Sequence, residues 1–391
     1  MARICGRAAP GFEVVARAFE ENFDEFGERG AAFCAYSGGE KVVDLWGGEA
    51  EPGVPWEADT MAVVFSSTKG VTALTIQALA AAGAIDVDDR VSAIWPEFGA
   101  DGKGGVTIRE VLTHQSGAID FPGYREVIGD PAWWLDPDRI AADFATSRPA
   151  WEPGTAHGYH GVSFGFILGE VVRRSTGATL GSAFRRLIGD PLGIDVYIGL
   201  PAGLDSRVAR LADAPPVTDP VTAAYLSLFT QDTLTARAHL CDEKGIAAMA
   251  EPFNDPKLRR AEFPSGGGIA SARGLAAMYA ALACGGQLDG TRVVDSRSID
   301  VHRAEQVRGD DLVLIFETRY GLGYQKPTPF VSLAPSDTAF GHRGLGGSVG
   351  MADPESGLAA AYVMNQMLFP ASSAPTRSQR LIRALYEAAR Q

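Results

Sequence analysis

The sequence predicts an α+β fold, in which an antiparallel sheet is flanked by helices and accompanied by a mostly helical part. Strand-like segments lie near both ends of the 391-residue chain, and helical patterns dominate between them. The strands and helices do not alternate in the βαβ manner that builds a parallel sheet. We therefore expect residues 1–85 and 264–391 to form one α/β domain, and residues 86–263 to form a mostly helical domain.

The N-terminal part supplies a helix and a hairpin. Residues 10–29 form an amphipathic pattern with Phe19 and Phe23 on its apolar side. Residues 32–36 and 41–46 have strand character, and a Gly-Gly turn separates them. This pair of strands begins the predicted sheet.

The C-terminal part supplies the remaining strands. Helical patterns at 272–284 and 378–390 flank them. The predicted strands are 320–324, 338–342, 348–353 and 358–365.

Residues 86–263 contain a succession of helical patterns. Thr107 and Glu110 have the spacing of a capping box, which marks a helix start. The further helical segments are 137–146, 162–177, 183–188 and a polar stretch at 221–250.

The composition excludes several classes of partner. The formal net charge is −13, whereas nucleic acids and anionic membranes attract basic surfaces. No apolar run approaches the roughly 18 residues that a membrane helix needs, and the N-terminus lacks the apolar run of a signal peptide. We expect a soluble cytoplasmic protein with no nucleic-acid or membrane partner, and the oligomeric state stays open.

Cysteine and histidine spacings predict neither disulfides nor a metal site. The four cysteines lack paired spacing, so buried free thiols are expected. None of the histidines considered as metal ligands has the His-x-x-x-His spacing of a zinc site. These histidines are His114, His157, His160, His239 and His302.

Ser66 and Lys69 lie three residues apart at the start of an apolar helical pattern that ends at Gly83. Residues at this spacing share one helix face, so the hydroxyl and the amine can meet. A desolvated lysine becomes a proton acceptor, and a serine that loses its proton becomes a nucleophile. The alternative is a helix start, with Ser66 as the N-cap and Lys69 as a solvated side chain.

Two other stretches carry candidate site residues. Tyr159 follows a Pro-Gly turn and precedes a helix, and its phenol can exchange protons near Lys69. In the segment 340–348, the N–H of Leu345 or Gly346 can join that of Ser66 to hold an oxyanion. The alternatives are an ordinary packed aromatic residue and a glycine-rich turn without chemical function.

Together, Ser66-x-x-Lys69, Tyr159 and His342-Arg343-Gly344 resemble the motifs of the penicillin-recognising serine hydrolases. This group includes class C β-lactamases, D-alanyl-D-alanine carboxypeptidases and family VIII carboxylesterases. The resemblance covers roughly residues 12–365 and implies the β-lactamase/transpeptidase-like fold. It also implies Ser66 as the acylated nucleophile, Lys69 as proton shuttle and Tyr159 as base, with no metal or organic cofactor.

Departures from the family pattern bear on the substrate. The family's Tyr-x-Asn is Tyr159-His160-Gly161 here, which removes an amide that β-lactamases use. Its Lys-Thr-Gly is His342-Arg343-Gly344, so Arg343 is the cation left to take part of the lysine's role. We therefore predict a serine carboxylesterase for small, short-chain esters. The alternatives are a β-lactamase, D-Ala-D-Ala peptidase or amide hydrolase, or a non-catalytic penicillin-binding-like module. The predicted oxyanion and substrate-binding residues are His342, Arg343, Gly344, Leu345 and Gly346.

Competing interpretations exist for two serines and four aromatic residues. Ser163 and Ser348 each lie in a Gly-x-Ser-x-Gly sequence, which in α/β-hydrolases marks the nucleophile. Ser348 has no histidine after it, and Ser163 lies inside a predicted helix, so Ser66 is favoured. The aromatic residues Phe121, Tyr124, Trp133 and Trp134 either line a substrate pocket or pack in the core.

Overall fold

The computed structural model describes residues 2–246, 249–369, 371–372 and 374–390. Its paired strands are all antiparallel, as the sequence predicts. The strands are β1 (Ile4–Ala8), β2 (Gly30–Ser37), β3 (Glu40–Glu51), β4 (Val54–Pro55), β5 (Ala62–Val63), β6 (Val196–Ile198), β7 (Gly268–Ala270), β8 (Gln287–Leu288), β9 (Thr291–Arg292), β10 (Val307–Asp310), β11 (Glu317–Tyr320), β12 (Phe340–Arg343), β13 (Val349–Asp353) and β14 (Leu358–Met364).

The helices include the longer ones that the sequence patterns predict, with ends that differ by a few residues, and short ones at 91–94, 124–127, 131–134 and 296–303 that were not predicted. They are α1 (Glu13–Glu25), α2 (Thr68–Ala81), α3 (Val91–Ile94), α4 (Ile108–Leu112), α5 (Tyr124–Val127), α6 (Pro131–Trp134), α7 (Pro137–Ala145), α8 (Ser163–Thr176), α9 (Leu180–Phe184), α10 (Pro220–Ser227), α11 (Leu234–Ala238), α12 (Ala250–Asn254), α13 (Ala272–Ala283), α14 (Ser296–Arg303) and α15 (Arg377–Ala388).

The main sheet has the strand order β1-β3-β2-β14-β13-β12, with β4 paired to β3. The two ends of the chain meet in its centre, where Cys34 of β2 is paired with Ala361 of β14. At one edge, His342 of β12 is paired with Gly350 of β13. The sheet therefore brings the C-terminal His-Arg-Gly motif next to elements from the N-terminal part.

Helices cover both faces of this sheet. On β2, Ala32 and Cys34 belong to the apolar cluster that includes α13 and α2, whereas Phe33 and Ala35 belong to the cluster with α1 and α15. Successive strand residues point to opposite faces, so a strand buried on both sides is apolar throughout. This explains the continuous apolar runs of the central strands.

Helix α2 is buried on all sides because it lies between the sheet and the helical part. Residues 68–79 are all buried, including Lys69. The helix contacts α8 and α9 on one side and β12 on another. A helix buried on all sides exposes no face to water, so its polar side chains need partners inside the protein. This applies most strongly to the amine of Lys69.

Several predicted elements differ from the structure. The predicted strand 320–324 is instead the end of β11 and a turn, in which Gly323 has φ +82° and the Gly321 N–H donates to the Tyr324 carbonyl. The helix predicted at 183–188 ends earlier, and residues 185–189 form a π-helical turn. Strands β1 and β6 were not predicted from the sequence.

The middle of the chain is largely helical but not separate from the sheets. Strand β6 pairs with β7, which also pairs with β5, in a small three-stranded sheet. The division at residues 85 and 263 therefore stays a prediction. Residues 247–248 of the predicted polar segment lie outside the described residues. In the described part of the chain, no helix has both the length and the apolar character needed to cross a membrane.

Candidate active site

Ser66 lies in a single 3-10 turn, Phe65–Ser67, between strand β5 and helix α2. The preceding residue, Phe65, has φ +43°, a region that bulky side chains rarely adopt. Its ring is buried and lies 5.0 Å from the ring of Phe253 in an edge-on contact. Strain of this kind persists only where the surrounding packing fixes it, and it recurs at functional sites. The strained turn leaves Ser66 partly exposed between buried neighbours.

Lys69 is completely buried, and three oxygen atoms surround its amine. Nζ lies 2.8 Å from the carbonyl oxygen of Gly161, 2.9 Å from that of Ser265 and 3.4 Å from Oγ of Ser66. It also lies 4.7 Å from the centroid of the Tyr159 ring. The predicted contact between Ser66 and Lys69 is therefore present. The alternative, in which the Lys69 side chain is solvated, is wrong.

Burial lowers the pKa of Lys69 well below its ordinary range, because it penalises the charged ammonium relative to the neutral amine. A neutral amine has two N–H bonds and one lone pair. The two backbone carbonyls at 2.8 and 2.9 Å take the two N–H bonds, which leaves the lone pair for the hydroxyl of Ser66. This arrangement is that of a proton acceptor.

Tyr159 lies in the loop before α8 and is almost entirely buried. Its N–H donates to Oδ1 of Asp311 at 2.9 Å. Burial raises the pKa of the phenol, the hydrogen bond with Ser66 opposes that change, and the charge of Asp311 adds to it. The phenol therefore keeps its proton near neutral pH and faces both Ser66 and Lys69.

Four imidazole rings surround this centre. The rings of His114, His239 and His342 lie 5.1, 5.6 and 6.0 Å from the ring of Tyr159. Burial lowers the pKa of His160 and of His239 to about 4 and that of His342 to about 3. These rings are neutral at neutral pH. The described residues contain no cluster of three or more His, Cys, Asp or Glu side chains able to hold a metal ion.

The predicted oxyanion residues form a tight turn after β12. The N–H of Gly344 donates to the Ser348 carbonyl at 2.7 Å, so it is not available to a substrate. A Cβ atom on Gly344 would overlap the Val64 carbonyl, which explains the glycine beside the Ser66 turn. Gly346 is buried with φ +75° against Met367. Among the described residues, the N–H groups of Ser66 and Leu345 donate to no backbone carbonyl.

His342 and Arg343 differ in their surroundings. The Nδ1–H of His342 donates to the Arg343 carbonyl at 2.7 Å, and Nε2 has no hydrogen-bond partner among the described residues. Arg343 is half-buried, and no ion pair within the described ranges includes it. Burial lowers the pKa of Arg343, but a guanidinium remains charged in proteins. Arg343 is therefore a cation that directly follows His342 and has no ion-pair partner among the described residues.

Comparison with known proteins identifies the family. Residues 16–384 match the profile of the beta-lactamase family. The chain belongs to the beta-lactamase family. This family assignment and the β-lactamase/transpeptidase-like fold confirm the predictions made from the Ser-x-x-Lys, Tyr and His-Arg-Gly motifs, and with them the prediction of a serine hydrolase.

Three relatives extend over nearly the whole chain. The esterase/beta-lactamase LipL of Mycobacterium tuberculosis is 34% identical over 386 residues, which cover 94% of this chain and 84% of LipL. The crystal structure of a family VIII carboxylesterase is 38% identical with a TM-score of 0.87, covering 99% of this chain and 100% of that chain. A penicillin-binding protein homologue from Caulobacter crescentus is also 38% identical, with a TM-score of 0.82 and the same coverage.

The structure explains why glycine follows Tyr159-His160. A Cβ atom on Gly161 would lie 2.7 Å from Cδ2 of His239 and 2.8 Å from the Ala238 carbonyl oxygen. The ring of His239 thus occupies the space of a side chain at this position. The carbonyl of Gly161 also accepts a hydrogen bond from Nζ of Lys69, so this glycine helps to fix the position of the amine.

The two other candidate serines are inaccessible. Ser163 is fully buried in the first turn of α8. Ser348 is also buried, and its Oγ donates to the Val64 carbonyl at 2.7 Å. Within the described part of the chain, neither serine is hydrogen-bonded to an imidazole, so the Gly-x-Ser-x-Gly sequences are packing features here.

The four aromatic residues considered as a pocket wall differ in their surroundings. Phe121, Tyr124 and Trp133 are buried in the core, and the rings of Phe121 and Trp133 stack at 5.5 Å. Trp134 lines a cavity of about 300 Å³ together with Phe166. Core packing is therefore the correct interpretation for three of the four.

Three features of the site were not found from the sequence. Ser265 supplies a carbonyl to Lys69, and its Oγ donates to the Val162 carbonyl at 2.6 Å. Asp311 binds the backbone of Tyr159. The strain at Phe65 has no sequence signal, since aromatic residues usually avoid positive φ. For Ser265, the following Gly-Gly-Gly run was the one available signal.

Proposed function

We propose that this chain is a serine carboxylesterase that hydrolyses small, short-chain esters through an acyl-enzyme on Ser66. The observation that carries this proposal is the surroundings of Lys69: two backbone carbonyls bind its amine, the amine also reaches Oγ of Ser66, and burial lowers its pKa. A weak nucleophile needs such a neighbouring base. The strained turn that exposes Ser66 and the protonated Tyr159 on the other side support the same assignment.

In the acylation step, Lys69 takes the proton of the Ser66 hydroxyl while Oγ attacks the ester carbonyl. The C–O bond to the alcohol then breaks, and Tyr159 donates its proton to the departing oxygen. The Lys69 ammonium then returns its proton to the neighbouring Tyr159 phenolate, so both groups regain their resting state. In deacylation, a water molecule gives one proton to Lys69 and adds to the acyl carbonyl, and Ser66 leaves with that proton.

This assignment changes the role of Tyr159 from the one that the family resemblance implies. A phenol whose pKa is raised by burial is a poor base in the resting enzyme and a competent proton donor. Burial lowers the pKa of Lys69, which makes its amine the better proton acceptor of the two groups. We therefore assign proton abstraction to Lys69 and proton donation to Tyr159.

The oxyanion of the tetrahedral intermediate is assigned to the N–H groups of Ser66 and Leu345. Leu345 packs with the apolar cluster that contains Phe65, so the two amides belong to one packed unit. Removing one oxyanion donor in other hydrolases costs about 10²- to 10³-fold in kcat. The N–H groups of Gly344 and Gly347 are already used by the carbonyls of Ser348 and Gly344, whereas that of Gly346 donates to no backbone carbonyl among the described residues.

An apolar substrate is favoured by the side chains beside Tyr159. The ring of His239 lies 5.6 Å from the ring of Tyr159 and 4.9 Å from the ring of Phe229. Phe229 in turn contacts Tyr225 at 5.7 Å. Neutral aromatic walls suit the acyl group of an ester, and the absence of an amide at Gly161 disfavours a β-lactam. Relatives with esterase or carboxylesterase in their names agree with this choice.

A second candidate is hydrolysis of β-lactams or other amides on the same frame. Arg343 favours it, because a guanidinium that follows His342 and has no ion-pair partner among the described residues can bind a substrate carboxylate. LipL is named both esterase and beta-lactamase, and another relative is a penicillin-binding protein homologue. A non-catalytic module is the least favoured, since nucleophile, base and acid are all within reach of each other.

A kinetic comparison separates these candidates. We expect kcat/KM for p-nitrophenyl butyrate to exceed that for nitrocefin, and the Ser66→Ala variant to lose both activities. A larger kcat/KM for nitrocefin would reverse the order of the first two candidates. Absence of turnover of either compound by a folded protein would favour the binding module.

A further inference from the structure

Asp311 is a buried carboxylate that binds a set of backbone N–H groups. Its Oδ1 accepts the N–H of Tyr159 at 2.9 Å, of Val313 at 2.9 Å and of Leu314 at 2.8 Å. The residue is 2% exposed. One oxygen atom therefore ties the segment that carries the catalytic phenol to the segment that follows β10.

The second oxygen of the same carboxylate is held by side chains. Oδ2 accepts the hydroxyl of Thr318 at 3.1 Å and that of Tyr320 at 3.4 Å. Thr318 also contacts Nε2 of His157 at 2.9 Å. The five hydrogen bonds use both oxygens, so the carboxylate has one orientation.

The turn that contains Asp311 is strained. The Ile315 N–H donates to the Asp311 carbonyl at 2.9 Å, and Ile315 has φ +59°, which is unfavourable for a β-branched residue. The Leu312 N–H donates to the His157 carbonyl at 3.1 Å, two residues before Tyr159. Strain persists only where several contacts define the conformation, and here the Asp311 carboxylate supplies three of them.

We propose that Asp311 is a positioning residue for Tyr159, because its Oδ1 fixes the tyrosine backbone and the adjacent turn as one unit. This inference rests on the proposed function, in which Tyr159 donates the proton to the leaving alcohol. Asp311 touches neither substrate nor the reacting atoms.

The physical basis is the precision that proton donation requires. A donor must reach hydrogen-bond distance of the departing oxygen, and misplacement by about 1 Å can cost about 10²-fold in rate. Hydrogen bonds from N–H groups to a carboxylate are about twice as strong as those between neutral groups. The negative charge of Asp311 also helps to raise the pKa of Tyr159, although burial is the larger cause.

Two esters with the same acyl group distinguish positioning from general stabilisation. p-Nitrophenolate is a stable anion near neutral pH and leaves without a proton, whereas ethoxide is a strong base that needs one. We expect Asp311→Ala to lower kcat/KM for ethyl butyrate about tenfold more than for p-nitrophenyl butyrate, since only the first needs a well-placed acid. Asp311→Asn keeps an oxygen for the three N–H groups, so it should hold both values within about threefold of the parent.

Asp353→Ala is the matched control. Asp353 is also buried, and its carboxylate accepts hydroxyls from Thr338, Ser356 and Tyr386 at 2.6, 2.7 and 2.8 Å. It lies at the end of β13, and its removal should change the two esters by the same factor. Melting curves identify variants that do not fold, and Asp311→Ser takes the place of Asp311→Ala if that variant fails.

The outcomes separate this inference from the proposed function. Tyr159→Phe must itself show the selective loss on ethyl butyrate; if it does not, Tyr159 is not the acid and both proposals fall. If Tyr159→Phe is selective but the folded Asp311 variant loses both esters equally or neither, the positioning role alone is overturned. Selective loss in Asp311→Ala together with recovery in Asp311→Asn supports it.

Discussion

The Nζ atom of Lys69 lies 3.4 Å from the Oγ atom of Ser66. The same nitrogen is closer to two backbone carbonyls, at 2.8 and 2.9 Å, so the backbone and not the serine fixes its position. Lys69 can therefore keep its place when Ser66 is acylated. A base that stays in place can accept a proton in both acylation and deacylation.

The first prediction concerns this amine. Lys69→Met removes the proton acceptor and keeps an apolar chain of similar length in a buried position. We expect kcat/KM for p-nitrophenyl butyrate to fall about 10²- to 10⁴-fold, the usual contribution of a general base.

Lys103→Met is the control for this variant. Lys103 is equally buried, and its Nζ binds the carbonyls of Ala100 at 2.9 Å and Ala145 at 3.2 Å, away from Ser66. Its replacement should lower the melting temperature and leave kcat/KM nearly unchanged. Equal kinetic losses in both variants would show that Lys69 acts through stability.

The second prediction is the pH dependence. Lys69 accepts a proton only when it is neutral, so activity should rise with pH through its lowered pKa and not near the ordinary lysine value. His160, His239 and His342 have pKa values of about 4, 4 and 3, so these rings are already neutral near neutral pH. The profile of kcat/KM between pH 4 and 10 measures this rise. If the residual activity of Lys69→Met keeps the same acid limb, another group is responsible.

The third prediction concerns Gly161. Gly161→Asn restores the family's amide in sequence, but its Cβ would overlap His239 and the Ala238 carbonyl. Overpacking should lower the free energy of unfolding by about 1–3 kcal/mol without creating nitrocefin hydrolysis. Denaturant unfolding and a nitrocefin assay check both parts. Gly105→Asn, where a Cβ meets open space, is the control. A stable Gly161→Asn variant with new nitrocefin turnover would contradict the steric explanation.

The fourth prediction concerns Arg343. The guanidinium of Arg343 should bind a substrate carboxylate through a charge-assisted hydrogen bond, which contributes about 1.5–3 kcal/mol. Arg343→Ala should therefore lower kcat/KM for monoethyl succinate at least about tenfold relative to ethyl butyrate. For Arg343→Lys, this ratio of kcat/KM values should lie between those of the parent and of Arg343→Ala. Equal effects on both esters would remove Arg343 from substrate recognition.

Much of the fold was predictable because its signals are local. The apolar runs at 32–36 and 358–365 match strands β2 and β14, and the capping box at Thr107 and Glu110 is present at the start of α4. The strand predicted at 320–324 failed because Gly321 and Gly323 prefer a turn, which a short apolar pattern conceals. Element ends depend on such tertiary contacts.

The contact between Ser66 and Lys69 was predictable because one motif contains both residues. Ser66 and Lys69 are neighbours on one turn, so their spacing decides their contact. Asp311 lies 152 residues from its partner Tyr159, and the Ser265 carbonyl lies 196 residues from Lys69. Such contacts depend on the packed fold and have no local pattern. The state of Tyr159 likewise depends on burial, which the sequence does not specify.

The most direct measurement of the central claim is labelling with a fluorophosphonate, followed by peptide mass mapping and a parallel activity assay. We expect one phosphonyl group per chain, on the peptide that contains Ser66, and loss of esterase activity in proportion to labelling. Modification of Ser163 or Ser348 instead, or full activity after Ser66 is modified, would contradict the account.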